Sequence, residues 1–207
     1  MNRGVEKRKI FLDDRDYFRF RDDLHDFNTI KRVVFSHYDR KNYHLVVRLP
    51  GEELVDILAV CLMPNHFHLL VQEKVDGGAG LFSRKFGGGY TRCFNERYKR
   101  EGVLFQGRSK KILVEDDEHF VHLPYYIFSN PLKLIFPEWK DYGVSDVKKA
   151  MGFLDDYKWG SFRELFSDKN NIFSSVVNKK LFLELFGFSN GKEFRKYFID
   201  WLKEYEG

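Results

Sequence analysis

The chain contains 207 residues, of which 43% are hydrophobic and 17% are aromatic, a composition that supports a packed core and excludes a disordered chain. A formal charge of +4 points only weakly to a polyanionic partner, and two cysteines are too few for a disulfide framework or a zinc cluster. No apolar run is long enough to span a membrane and no signal region follows the charged first residues, so we expect a cytoplasmic protein.

The first 50 residues are predicted to form a helix followed by two strands. The Asp13-Asp14 pair can cap a helix over residues 15–27, where apolar and aromatic side chains recur with helical spacing. Residues 33–35 and 43–47 are rich in β-prone types. The polar stretch 39–42 between them is typical of a turn.

A β-hairpin is the clearest local unit of the sequence. Residues 55–62 form an apolar, β-compatible run, and a second β-compatible run follows over 66–72. The residues between them, Met63-Pro64-Asn65, are typical of a turn. Two such runs joined by a short turn predict an antiparallel pair of strands.

A glycine-rich loop over residues 77–80 leads into a predicted helix over 81–100. Three consecutive glycines, 87–89, lie inside this helix, and each costs about 1 kcal/mol relative to alanine. We therefore expect the helix to bend there, or another part of the chain to approach its backbone closely.

The second half of the chain is predicted to contain one strand, one long helix and two short helices. The strand covers residues 103–114, and the long helix covers 117–130 and ends at Pro131, which cannot continue it. Beyond residue 138 the hydrophobic pattern weakens. The features predicted there are an anchored loop over 159–162 and short helices over 178–186 and 192–205.

Basic residues concentrate in one segment. Residues 84–111 contain nine lysines and arginines and two glutamates, a net charge of +7 in a chain whose total is +4. One basic stretch in an otherwise slightly acidic protein suggests a phosphate-binding surface, and a solvated helix face is an equal alternative. The candidate phosphate contacts are Arg84, Lys85, Arg92, Arg108, Lys110 and Lys111.

Two histidines in the second hairpin strand form the first candidate site. Successive side chains of a strand point to opposite faces, so His66 and His68 project to one side and Phe67 to the other. Two neutral imidazoles at this spacing can close around one divalent metal ion. The alternative is a pair of partly exposed strand histidines, and the two residues alone favour that alternative.

Tyr126 and Asn130 form the second candidate site. They lie four residues apart in the predicted helix and therefore on one helical face. The amide oxygen of Asn130 suits a hard metal ion, so two histidines and one amide would leave positions for a phosphate oxygen and water. The alternative is a buried aromatic residue followed by an asparagine at the helix C-terminus, before Pro131.

A phosphoryl-transfer reaction would explain why these groups occur together. A free tyrosine has a pKa near 10 and is a poor nucleophile at neutral pH, so it needs activation or an activated target. A bound Mg²⁺ or Mn²⁺ can polarise a phosphate and orient it for in-line attack. The product would be a phosphotyrosine linkage that the 3′-hydroxyl of a second strand can reverse, which is strand transfer rather than hydrolysis.

Two motifs resemble those of a known family. Met63-Pro64-Asn65-His66-Phe67-His68-Leu69-Leu70 is similar to the histidine–hydrophobic–histidine motif of HUH endonucleases. Tyr126-Ile127-Phe128-Ser129-Asn130-Pro131 is similar to the Tyr-x-x-x-Asn-Pro motif of single-tyrosine transposases. The chain thus resembles the insertion-sequence-200-like transposases, and most closely the REP-associated tyrosine transposases. Supporting stretches follow in family order at 10–14, 89–95, 104–108, 114–117 and 159–162.

The resemblance implies an α+β fold. A ferredoxin-like antiparallel sheet with packed helices would occupy residues 1–137, as a transposase catalytic domain. A small helical C-terminal extension would occupy residues 138–207. In the family a strand usually precedes the stretch that matches Asn2-Arg3-Gly4. We therefore expect either that most of that strand is missing here, which would expose a sheet edge, or that the true start of the chain lies upstream.

The resemblance also implies an activity. The protein would be a metal-dependent DNA transposase that cleaves and rejoins single-stranded DNA near hairpins, leaving a 5′-phosphotyrosine and a free 3′-hydroxyl. Tyr126 would be the catalytic nucleophile, and His66, His68 and Asn130 would hold the metal ion. The protein would be nucleoid-associated and would act as a monomer or as a homodimer.

Several alternatives remain open. Tyr90 and Tyr125 are rivals for the nucleophile; Tyr90 is expected to pack or to stack on a base, and Tyr125 to pack. The chain could be a catalytically inactive single-stranded nucleic-acid-binding protein with a ferredoxin-like sheet. It could also be a hydrolase that uses the histidines to activate water. A covalent protein–DNA adduct separates these classes.

Overall fold

The protein has a mixed α+β fold, as the sequence predicts. The computed structural model describes residues 1–35, 46–47, 51–113, 117–166 and 171–205. The strands are β1 (Asn2–Arg3), β2 (Val34–Phe35), β3 (Val46–Val47), β4 (Val55–Met63) and β5 (His66–Glu73). The helices are α1 (Asp14–Asp26), α2 (Gly78–Tyr98), α3 (Asp117–Ser129), α4 (Trp139–Tyr142), α5 (Val147–Asp156), α6 (Phe162–Phe166), α7 (Lys179–Leu185) and α8 (Gly191–Glu204), with 3-10 turns at Val5–Lys7 and Asn130–Leu134.

A three-stranded antiparallel sheet has the order β1-β5-β4. β4 and β5 form the hairpin that the sequence predicts, joined by a turn at Pro64-Asn65. β1 pairs with β5, so that Asn2 lies opposite Phe67 and Arg3 opposite His66. A separate antiparallel pair links β2 and β3. The turn predicted over residues 39–42 lies outside the described residues.

The chain divides into two compact units. The first unit comprises Met1–Asp56, Pro64–Phe67 and Val71–Lys111, and the second unit comprises Ile57–Met63, His68–Leu70 and Ile112–Gly207. The domain boundary expected after residue 137 stays a prediction, because compactness alone does not show that a segment folds by itself.

The first unit is built on α1 and α2. Asp13 caps α1, because its carboxylate accepts from the amides of Arg15 and Asp16 and the Asp16 carboxylate accepts from the amide of Asp13. The cap confirms the helix start that the sequence predicts. Rings from both helices and from β5 form an aromatic core with Phe11, whose members include Phe11, Phe20, Phe67, Phe86 and Tyr90.

The glycines of α2 permit a close approach. A Cβ added at Gly89 would lie 2.3 Å from the ring of Phe27, whereas one added at Gly88 would meet nothing within 4 Å. The Phe27 ring therefore packs directly on the bare backbone of Gly89. Of the two outcomes expected for the glycine stretch, the close approach is the one found.

The second unit packs α3 and the C-terminal helices against part of the hairpin. Its buried apolar core includes Leu58, Met63, Leu70, Tyr125, Phe128, Trp139, Leu154, Phe182, Phe194 and Phe198. The amide of Leu62 donates to the carbonyl of Trp159 at 2.9 Å. Ser161 makes two bonds to Val60, one through its amide and one through its hydroxyl. These bonds confirm the anchored loop predicted over residues 159–162.

The two C-terminal helices predicted from the sequence are confirmed as α7 and α8. Three further helices, α4 to α6, were not predicted. α4 has four residues and α6 has five, too few for a periodic pattern, whereas α5 has ten residues and buries Ala150, Met151 and Leu154 at helical spacing. Within the described part of the chain, none of the helices combines the length and the apolar character needed to cross a membrane.

The strand predicted over residues 103–114 is wrong for the residues that the structure describes. Residues 103–113 contain one isolated bridge, between Phe105 and Gly4, and no regular strand. Gly107 has a φ of +109°, and its carbonyl accepts from the side chain of Asn2 at 3.1 Å. This glycine conformation takes the backbone out of the extended region, and the pairing ends after one bridge.

Candidate active site

β5 presents the two histidines at alternate positions. His66 and His68 are both 8% exposed, and they flank Phe67 in the strand. Phe67 enters the aromatic core of the first unit, where its ring lies 4.9 Å from that of Phe20. Alternation along a strand therefore puts both imidazoles on the face opposite to Phe67.

The Asn65 side chain orients the ring of His66. Nδ2 of Asn65 donates to the carbonyl of Lys7 at 3.1 Å, which turns Oδ1 toward Nδ1 of His66 at 2.7 Å. An amide oxygen can only accept, so Nδ1 of His66 carries the proton. In the neutral ring the lone pair then lies on Nε2. A hydrogen bond that orients one ring nitrogen in this way is typical of histidines that bind metal ions through the other nitrogen.

α3 carries Tyr126 on its exposed side. Tyr126 is 40% exposed, whereas its neighbours Tyr125 and Ile127 are buried. The ring of Tyr126 meets the ring of His68 edge to face, with the centroids 5.8 Å apart. The fold of the second unit thus brings the predicted nucleophile to one of the predicted metal ligands.

Asn130 begins the 3-10 turn that follows α3. Its Nδ2 donates to the carbonyl of Tyr126 at 2.6 Å, and its side chain is buried. The helix ends here because Pro131 has no amide hydrogen with which to extend the ladder. Since Nδ2 bonds the backbone, Oδ1 is the atom of Asn130 that can face a ligand.

Lys140, in α4, is the residue of this site that the sequence did not point to. Its Nζ donates to Oη of Tyr126 at 2.8 Å and lies 4.1 Å from the centroid of the tyrosine ring. The same Nζ lies 3.5 Å from Oδ1 of Asn130. No sequence signal could have identified Lys140, because it is 14 positions after Tyr126 and in a different helix.

The predicted metal ligands are of types that divalent ions accept, and two of them, His68 and Asn130, lie in the second unit. Imidazole nitrogens from His66 and His68 and an amide oxygen from Asn130 are ligands that such ions accept. The amide oxygen has two lone pairs, so the neighbouring Lys140 ammonium does not prevent it from binding a metal ion. Groups of three or more His, Cys, Asp or Glu side chains that could hold a metal are not found among the described residues. The predicted ligands are two histidines and one asparagine, and asparagine is not one of those four residue types.

The rival tyrosines are both packing residues. Tyr90 is 1% exposed, its hydroxyl donates to the carbonyl of Ile10 at 2.5 Å, and burial raises its pKa well above the ordinary value. Of the two roles predicted for Tyr90, packing is the one that this burial allows, since a base needs an exposed ring face. Tyr125 stacks on Phe194 and Trp201, and burial raises its pKa as well.

In the basic segment of the first unit, some cationic side chains bond to neighbouring protein groups and others are exposed to solvent. The ammonium of Lys85 donates to the carbonyls of Thr29 and Lys31, and burial lowers its pKa. Arg92 pairs with Glu96 at 2.9 Å. Lys85 would have to give up its bonds to reach a phosphate. The predicted phosphate contacts that are exposed and outside such pairs in the described structure are Arg84, Arg108, Lys110 and Lys111.

A hydroxyl pair holds the basic loop beside α2. Ser83 Oγ donates to Ser109 Oγ at 2.6 Å. The ammonium of Lys111 lies against the first turn of α2, where a Cβ added at Gly80 would be 2.6 Å from it. Ser109 and Lys111 therefore lie beside the first turns of α2. We call the exposed basic side chains Arg84, Arg108, Lys110 and Lys111 the exposed basic surface of the first unit.

Comparison with models of known families, with curated proteins and with solved structures finds no significant match for this chain. Its function must therefore be inferred from the side chains that the fold brings together. In the second unit these are His68, Tyr126, Asn130 and Lys140.

Proposed function

We propose that the protein is a single-tyrosine transposase and endonuclease of the HUH type, with Tyr126 as its nucleophile. The observation that carries this proposal is the contact of the exposed Tyr126 ring with His68. A tyrosine nucleophile must be accessible to the DNA and must lie beside the groups that orient the phosphate. Tyr126 is 40% exposed and lies beside His68, a proposed metal ligand, whereas Tyr90 and Tyr125 are buried.

The proposed reaction is a transesterification. The phenolic oxygen of Tyr126 attacks the scissile phosphorus, and the bond between phosphorus and the 3′ oxygen breaks. The phenol loses its proton and the leaving oxygen gains one, so the products are a 5′-phosphotyrosine and a free 3′-hydroxyl. Attack by the 3′-hydroxyl of another strand reverses the step without an external source of energy. A Mg²⁺ or Mn²⁺ ion held by His66, His68 and Asn130 would polarise the phosphate.

The proposed substrate is single-stranded DNA that carries a hairpin. The support is the exposed basic surface of the first unit, formed by Arg84, Arg108, Lys110 and Lys111. Such side chains bind the phosphate backbone and position the strand without reading its bases. Recognition of the hairpin would then depend on its shape.

The proposed fold of the catalytic domain is ferredoxin-like. It is supported by the β4–β5 hairpin, by β1 on the far side of β5, and by α1 and α2 packed in the same unit as β1. Proteins of this type act as monomers or as homodimers, and the molar mass in solution distinguishes the two states.

The covalent adduct is the decisive product. Purified protein, Mn²⁺ and a labelled library of single-stranded hairpins should give a labelled band that survives denaturation. Tyr126→Phe should abolish this band while DNA affinity stays within about twofold, because the phenolic oxygen is the only group removed. Tyr125→Phe is the matched control, one residue away and buried, and should form adduct at the normal rate.

The other outcomes of this experiment identify the other classes. Binding without adduct or cleavage would support a nucleic-acid-binding protein. Cleavage without adduct would support a hydrolase. Adduct formation by Tyr126→Phe at the normal rate would move the nucleophile elsewhere. His68→Ala in the same assay should abolish the adduct and weaken Mn²⁺ binding, measured by calorimetry without DNA.

A further inference from the structure

We propose that Lys140 is a positioning residue that holds the phenol of Tyr126 in its reactive orientation, an inference that rests on the function proposed above. The residues of the family motifs do not include it. Its assignment comes from two separate contacts of one ammonium group with one tyrosine. Nζ donates to the phenolic oxygen at 2.8 Å, and it lies 4.1 Å from the ring centroid.

These two contacts restrict the tyrosine in different ways. The hydrogen bond fixes the position of Oη, and the cation–π contact holds the ammonium beside the ring. Tyr126 projects from the exposed side of α3, where a ring without partners would sample several rotamers. A nucleophile gains rate from being held near its attack position, and a displacement of 1 Å can cost about 100-fold.

The C-terminal part of the chain keeps Lys140 in place. α4 has only four residues, too few to be stable without tertiary contacts. Its Trp139 is 1% exposed and packs against Trp201 and Tyr205, with ring centroids 6.5 and 5.4 Å away. The hydroxyl of Tyr205 also donates to the carbonyl of Lys140 at 3.3 Å. This explains what α8 contributes to the site.

The competing role for Lys140 is that of a simple phosphate contact. A lysine that binds a phosphate contributes to DNA affinity and to its salt dependence. The salt slope is the slope of the logarithm of the binding constant against the logarithm of the salt concentration, and removing such a lysine reduces its magnitude by about 1. A positioning residue changes the rate of the bound complex and leaves affinity nearly unchanged. Removing a phosphate contact would therefore change the binding constant for DNA, whereas removing a positioning residue would change the rate constant of adduct formation at saturation.

The test compares Lys140→Met, Lys140→Arg and the control Lys133→Met, an exposed lysine of the preceding 3-10 turn. With saturating hairpin DNA and Mn²⁺, Lys140→Met should form adduct about 10- to 100-fold more slowly. Its DNA affinity and salt slope should match those of the wild type. Lys140→Arg should recover most of the rate because it restores a cationic donor, and Lys133→Met should behave as wild type.

Two results of this assay would overturn the assignment. One is a Lys140→Met protein with a normal rate at saturation. The other is a loss confined to affinity and salt slope. The unfolding temperature of each variant, followed by circular dichroism, shows whether a loss of rate comes from loss of folded protein.

A readout without DNA separates this proposal from the proposed function. In protein labelled with ¹³C-tyrosine, the ring resonance of Tyr126 is identified as the one missing from Tyr126→Phe. Lys140→Met should shift that resonance, and Lys133→Met should leave it in place. An unshifted resonance would refute the orienting contact, even if adduct forms. A shifted resonance in a protein that never forms adduct would support the contact and overturn the transposase proposal.

Discussion

Asp13 has two tasks in the first unit. Its carboxylate accepts from the amides of Arg15 and Asp16 and so caps α1. It also pairs with the guanidinium of Arg97 in α2, with Nη1 donating to Oδ1 at 2.9 Å. That guanidinium holds the pKa of Asp13 well below its usual range. Capping requires only an oxygen acceptor, whereas the pairing requires the negative charge.

Asp13→Asn should separate these tasks, since asparagine caps helices about as well as aspartate but cannot pair with Arg97. A carboxylate whose pKa is depressed in the folded state stabilises the fold above its unfolded-state pKa, and this stabilisation is lost as the pH falls below about 4. We expect the variant to be less stable at pH 7 by about 1 kcal/mol or less, because the Asp13 side chain is 40% exposed.

The measurement is urea unfolding at pH 7 and at pH 3. The difference between wild type and Asp13→Asn should shrink at the lower pH. At pH 3 the unfolded wild type is largely protonated at Asp13 while the folded protein still keeps the charge, so part of the stabilisation by the ion pair is lost. A difference that stays constant between the two pH values would show that the cap, and not the ion pair, carries the effect.

At the scale of elements, α2 shows how one helix can tolerate three adjacent glycines. Gly88 faces open space, while Gly89 supports the ring of Phe27. A glycine in a helix is costly because its unfolded chain is unusually flexible. Only the second of these two glycines has a packing reason to be there.

Alanine at each position should therefore act in opposite directions. Gly88→Ala should stabilise the protein by about 0.5 to 1 kcal/mol through the unfolded state. Gly89→Ala should destabilise it by about 1 to 3 kcal/mol, because the new methyl group meets the Phe27 ring. The midpoints of urea unfolding measure both changes. Two variants that shift in the same direction by the same amount would refute the close approach.

The end of α3 is held by side chains. Ser129 Oγ donates to the carbonyl of Tyr125 at 2.7 Å, and Asn130 Nδ2 donates to the carbonyl of Tyr126 at 2.6 Å. Helix carbonyls near a C-terminus lack backbone partners, and these bonds supply them. The residue that is proposed to face the metal ion thus also satisfies a carbonyl in the last turn of the helix that carries the nucleophile.

At the scale of the whole molecule, each unit contains one buried cysteine. Cys93 belongs to the first unit and Cys61 to the second. Burial raises the pKa of both thiols, to about 12 for Cys93. A thiol reacts as its thiolate, so raised pKa values and burial both oppose modification.

We expect neither thiol to react promptly with an aromatic disulfide reagent in native buffer, and both to react in urea. Cys61→Ser leaves a reporter in the first unit, and Cys93→Ser leaves one in the second. The remaining thiol of each variant becomes reactive when the unit that contains it unfolds, so its reaction rate measures that unfolding as the urea concentration rises. Prompt reaction of either single-cysteine protein without urea would contradict the burial of that residue.

The parts of the fold that local chemistry encodes are the parts that could be predicted. The Asp13 cap, the β4–β5 hairpin and the C-terminal helices depend on spacing and turn chemistry within a few residues. The placement of His66 and His68 on one strand face, and of Tyr126 and Asn130 one helical turn apart, has the same local origin. The strand expected over residues 103–114 failed because Gly107 has a φ of +109°, which takes the backbone out of the extended region after one bridge to Gly4.

The meeting of the site residues has a different origin. Tyr126 contacts His68 because the second unit packs α3 beside part of β5, and no spacing in the sequence specifies that packing. Lys140 joins them because Trp139 packs on α8, and Tyr205 bonds to Lys140 from 65 positions away. Short-range sequence patterns therefore specify which side chains lie on one face of each helix or strand. Burial of the aromatic side chains in the second unit's core selects which of those groups come together, because that burial is optimised over the whole unit at once.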